Sequence, residues 1–152
     1  MKLSTGFDIS ASALSAQRMR MDVISSNIAN AETTRGSYVN GKFEPYKRKL
    51  VVLEPMGGQS FASMLSNQMN GGAKTAQGVK VAKIQEDHTP SKLVYNPTHP
   101  DADENGYVHM PNVDIAKEMV DMISASRAYE SNVTAINATK AMFVKALEIG
   151  RA

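Results

Sequence analysis

The chain is bracketed by two long stretches that hold neither glycine nor proline and repeat their apolar residues every seven positions. Phe7, Leu14, Met21 and Ile28 lie on one heptad line, with Ser10, Gln17, Ile24 and Ala31 three residues on. Near the other end Ile115, Met122, Tyr129, Ile136 and Phe143 keep the same period, and Met119, Ser126, Val133, Lys140 and Leu147 follow them by four. A 3.5-residue period on an α-helix holds one seam against a partner helix. The pattern predicts a helix over Asp8 to Ala31 and a second over Asp114 to Ile149, the latter about 54 Å long. Ser4, Thr5 and Asp8 are the expected caps of the first, and Thr33 to Gly36 its stop. Pro111 and Asn112 precede the second, and Gly150 stands where a terminal glycine belongs.

Between these stretches the signal changes to alternation and turns. Tyr46 to Leu53, Val79 to Ile84 and Tyr107 to Met110 read as strands, with Asn40-Gly41 as a hairpin turn. Met56 to Gln77 reads as a flexible insertion with a weak helix at Phe61 to Met69. Pro90, Pro97 and Pro100 keep the next approach extended. The expected fold is mainly α with a small β segment, in which N- and C-terminal helices form an antiparallel coiled coil around a short β excursion. Its parts are an axial helix over 1–36, a β-rich middle over 37–112 with the insertion at 56–77, and a second axial helix over 113–152.

Composition limits what such a pair can do alone. Hydrophobic residues make up 42% of the chain but aromatic ones only 6%, and there is no tryptophan. A two-helix seam with so few large side chains lacks a sufficient core. Further apolar residues off the seam, among them Val120, Ile123, Met142 and Ile149, make the C-terminal helix apolar on more than one side. On the first helix Ala11, Ser12, Ala13, Ser15 and Ala16 are small enough to admit close neighbours. The residues therefore describe an assembly subunit completed by other chains.

Other functions find little support. A net charge of +2 is too balanced for a coat on nucleic acid or anionic lipid. The absence of cysteine excludes disulfides, thiolate metal sites and a cysteine nucleophile. No apolar run is long enough to span a bilayer, and Met1 to Ile9 lacks the apolar core of a cleavable signal. Asp101-Ala102-Asp103-Glu104-Asn105-Gly106 matches the first half of a calcium loop, but Asn112 stands where a bidentate Glu is needed. A turn into a strand is the better reading. His88, His99 and His109 are too widely spaced for a local metal site and read as solvated. No nucleophile elbow or phosphate cradle occurs. No catalytic residue, metal or cofactor is expected.

The most informative stretch is Ser26-Asn27-Ile28-Ala29-Asn30-Ala31. Asparagine is a poor helix interior residue, and two readings stand side by side. The pair ends the helix, Asn30 taking the left-handed position, or Asn27 bonds a neighbouring chain and sets its register.

Ala16-Gln17-Arg18 followed by Asp22 to Thr34 resembles the N-terminal signature of the bacterial flagellar rod and hook proteins. Glu118 to Val133 resembles their paired C-terminal signature, and Lys92 to Pro97, His99 to Asp103 and Gly106 to Val113 are similar to proximal-rod members of that family. The resemblance implies a structural subunit that polymerises helically through its terminal helices to transmit torque from the membrane ring to the hook. It implies export by the flagellar type III apparatus without a cleaved signal peptide and residence in the periplasm-spanning rod of the basal body. The implied partners are other rod proteins, copies of the chain itself, and membrane-ring and export-apparatus proteins, with no nucleic acid and no membrane insertion. The expected interface comprises Leu14, Met21, Ile24, Asn27, Ile28 and Asn30 on the first helix. On the second it comprises Met119, Met122, Tyr129, Val133, Ile136 and Phe143. A soluble helical adaptor or export chaperone using the same seams is the alternative.

Overall fold

The computed structural model describes residues 3–39, 41–56 and 78–150. Asn40, the insertion from 57 to 77 and the weak helix expected within it lie outside the described residues.

Among the described residues two helices enclose six short strands: α1 (Leu3–Ala29), β1 (Ser37–Val39), β2 (Lys42–Glu44), β3 (Lys49–Pro55), β4 (Val79–Glu86), β5 (Lys92–Tyr95), β6 (Tyr107–Met110) and α2 (Ile115–Ile149). α1 begins earlier than expected and runs through Gly6, so Ser4, Thr5 and Asp8 sit inside the helix rather than capping it. One glycine costs a helix about 1 kcal/mol, too little to break a continuous packed rod. Its end falls at Ala29, where the Asn30 N–H and its side-chain Nδ2 both donate to the Ser26 carbonyl, at 3.1 and 2.9 Å. α2 starts at Asp114, whose carboxylate accepts from the N–H groups of Ala116 and Lys117 at 3.0 and 3.3 Å. Gly150 does end this helix, but in the right-handed conformation at φ −74°, its N–H bonding Ala146 O.

The strands pair only with a neighbour in sequence, as three antiparallel ribbons: β1 with β2, β3 with β4, and β5 with β6. β3 and β4 match the expected strands within a few residues. β5, whose Lys92-Leu93-Val94-Tyr95 lacks alternation, is the unforeseen partner of β6. Gly36 is required by a close crossing: a Cβ there would lie 2.6 Å from the Tyr46 backbone. That approach lets Gly36 N–H reach Glu44 O and Tyr46 N–H reach Thr33 O. The turn into β6 needs Gly106 at φ 79°. Asp101 to Gly106 is thus a turn into a strand. Its Asp101 carboxylate is taken by Arg35 Nε at 2.7 Å and the Thr34 hydroxyl at 2.8 Å.

α1 packs on both α2 and the β3–β4 ribbon. Arg20 meets Asp121 and Asn27 meets Glu118, so the two helices pass in opposite senses. The buried apolar residues are few and small: Ala16, Val23, Ile24, Ala31, Val108, Val113 and Ala125. They lie on the two helices, on β6 and in the segments just after α1 and just before α2. Counting back from the Asn27–Glu118 contact at equal rise, Leu3 reaches about the level of Met142. The last turns of α2 therefore run past α1, and every residue from Lys140 to Gly150 is exposed.

Candidate functional site

The two helices present two different surfaces: a closed polar joint near the strands and open apolar faces elsewhere.

The joint is built on Asn27, 1% exposed near the end of α1. Its Nδ2 donates to Lys49 O at 2.9 Å and to Glu118 Oε2 at 3.0 Å. Its Oδ1 accepts from the Tyr46 hydroxyl and from Lys49 N–H, both at 2.9 Å. All four hydrogen-bonding positions of the amide are thereby filled inside the chain. Glu118, also 1% exposed, receives Arg48 through Nε at 2.7 Å and through Nη2 at 2.6 Å. Arg48 further reaches Asp87 at 3.5 Å, and its backbone N–H donates to Asn112 Oδ1 at 2.9 Å. Burial opposes the Arg48 charge, but Glu118 and then Asp87 outweigh it and raise its pKa above the usual guanidinium value. Asp87 is lowered, first by the Thr89 hydroxyl and N–H and then by Arg48. One constellation thus ties both helices to the strand segment at β3 and to the turn after β4. A buried charge without such partners would be strongly disfavoured.

Heptad reading located this face but placed one of its two lines a residue off. Met122, Tyr129 and Ile136 are half-buried. Their companions are Glu118 and Ala125, the latter 0% exposed, whereas Met119 is 55% exposed. An apolar pattern cannot register a buried glutamate whose solvation is supplied by an arginine from another element. On α1, Ile24 is buried at 5% and Leu14, Met21, Ile28 and Asn30 are half-buried. Val133 is half-buried and Phe143 is 48% exposed. Asn27, read as either a helix terminator or a contact to a neighbouring chain, has its polar contacts within its own chain.

The open faces lie mainly on α2. Met119, Val120 and Ile123 on its first half and Met142, Phe143, Leu147 and Ile149 on its last turns are all exposed by 48% or more. No helix among the described residues is long and apolar enough to cross a membrane, so these residues form no membrane span.

One constellation resembles catalytic chemistry. Ser91 Oγ lies 3.1 Å from His109 Nδ1, and His109 Nε2 lies 3.3 Å from Asp103. The three residues clip the β5–β6 ribbon to its flanks at the open surface. His109, read from the sequence as solvated, is partly engaged.

A family profile described as flagella basal body rod protein matches residues 7–35, and one described as flagellar basal body rod FlgEFG protein C-terminal matches residues 104–149. The two spans hold most of α1 together with β6 and α2, and with them Asn27 and Glu118 of the joint, whereas Arg48 lies between the spans. The flagellar basal-body rod protein FlgC of Bacillus subtilis is 58% identical over 144 residues, which cover 95% of each chain. The chain belongs to the FlgC family of flagellar basal-body rod proteins. The FlgC proteins of Borreliella burgdorferi and Salmonella typhimurium are each 43% identical, over 98% and 99% of this chain and 98% and 100% of theirs. Membership in the FlgC family makes this a structural protein of the flagellar basal-body rod, associated with other basal-body components, and not an enzyme. The adaptor alternative is not favoured.

Proposed function

We propose that the chain is a proximal-rod subunit that polymerises helically through its terminal helices and transmits torque from the membrane ring to the hook. The observation that supports this reading is the imbalance of α2. Its beginning is closed by Asn27 and Arg48, while Met142, Phe143, Leu147 and Ile149 on its final turns are exposed. An apolar helix end of this kind gains stability only when further helices cover it. In the rod the α1–α2 pair forms a coiled coil with Met122, Tyr129, Val133 and Ile136 as inter-helix knobs, and the ribbons face outward. The partners are copies of the chain and the other rod proteins, with the membrane ring and export apparatus at the base. The chain travels through the flagellar export apparatus without a cleaved signal.

The test is Tyr129→Ala, which truncates a half-buried ring at the centre of the helix pair. Rod assembly and swimming are lost while the variant is still detectable as an exported protein. Normal swimming would refute the role given to Tyr129.

A further inference from the structure

Each helix carries a second heptad line, turned away from its partner. On α1 the exposed residues Ala11, Ser15, Arg18, Asp22, Ser25 and Ala29 follow one another by four and three. On α2, Val120, Ile123, Arg127, Glu130 and Thr134 do the same and are likewise exposed. At about 100° per residue, Ser25 lies roughly 200° from buried Asn27, and Arg127 roughly 200° from buried Ala125. The two stripes are therefore on opposite outer flanks of the helix pair and cannot meet within one molecule.

The stripes are complementary in size and in charge. The α1 stripe is small except at its centre, where Arg18 precedes Asp22; the α2 stripe places apolar Val120 and Ile123 ahead of Arg127 and Glu130. None of these four charged residues makes an ion pair among the described residues. An antiparallel alignment sets Arg18 opposite Glu130 and Asp22 opposite Arg127. The same register seats Ile123 over Ser25 and Val120 over Ala29. A parallel alignment would put arginine against arginine and acid against acid, at a cost.

We infer that the outer stripe of α1 in one copy docks antiparallel onto the outer stripe of α2 in a second copy of this chain. Because one flank meets the opposite flank of the next molecule, the contact is heterologous and passes from copy to copy, as a ring or a helical array, rather than closing a two-fold dimer. The inference rests on the rod-subunit reading and names its lateral partner.

Two measurements in flagellated cells test it. The chain has no cysteine, so a Ser25→Cys, Ile123→Cys double variant can be oxidised cleanly in isolated basal bodies. A ladder of linked copies of this chain is expected, absent from either single variant. Separately, Asp22→Arg and Arg127→Asp each abolish swimming, and the two together restore it. Cross-links that are missing or that capture a different chain overturn the inference, as does a double charge variant no better than either single one. The rod reading itself falls only if the unmodified chain is absent from purified basal bodies.

Discussion

The strand-side half of the helix pair and its far half stand in opposite conditions. Near the strands, Asn27, Glu118 and Arg48 are closed on one another with every polar atom partnered. At the far end α2 runs from Lys140 to Gly150 with nothing buried. The difference separates what one molecule completes for itself from what assembly must complete. A subunit that has to be delivered singly and then polymerise needs both. The joint keeps the helices attached to the ribbons, and the open end keeps association favourable only where other helices wait.

Substitutions can break this contrast at either end. Glu118→Ala has the largest expected effect on the isolated chain, because it leaves Arg48 half-buried beside an apolar methyl and empties one Asn27 bond. A loss on the order of 3–5 kcal/mol is expected, read as a lowered thermal midpoint; a loss within the error of the measurement would mean that the joint does not hold the fold. Asn27→Ala strands the Lys49 N–H and carbonyl and should cost about 1–3 kcal/mol in the same measurement.

Acid provides a graded probe of the strand side. Asp101 is lowered below its usual value, first by Arg35 and then by Thr34, and Asp87 is lowered as well. Such groups bind fewer protons folded than unfolded, so their contribution is present above about pH 4 and is lost as pH falls through the folded values. Asp101→Asn should flatten the fall in stability below about pH 4, and an unchanged acid transition would exclude that contribution. At the far end, Phe143→Ser should alter the stability of the isolated chain by less than about 0.5 kcal/mol yet abolish swimming. A large change in the isolated chain would show that the end of α2 is already packed.

Much of the layout is legible in the sequence, because heptad spacing and the absence of helix breakers act locally. The long terminal helices followed from that spacing, and the β segment between them from alternation and turn residues. Less legible was β5, whose Lys92 to Tyr95 carries no alternation and is a strand only because β6 offers it a partner. The Gly36 crossing was also hidden, since its need arises from a segment ten residues away. The buried line through Glu118 was missed for a deeper reason. A charged residue signals exposure until its counter-ion is placed, and Arg48 is seventy residues distant in the chain.

Sequence alone determined that the ends are helical, that the C-terminal helix is apolar on more than one side, and that no reactive centre is present in a recognisable motif. Those are consequences of periodicity and residue type, which need no knowledge of what lies opposite. Only the tertiary structure decided which of the several faces closes inside the molecule and which stays open. That choice depends on where Asn27, Arg48 and Glu118 converge, and on desolvation, which has no value until the neighbours are in place.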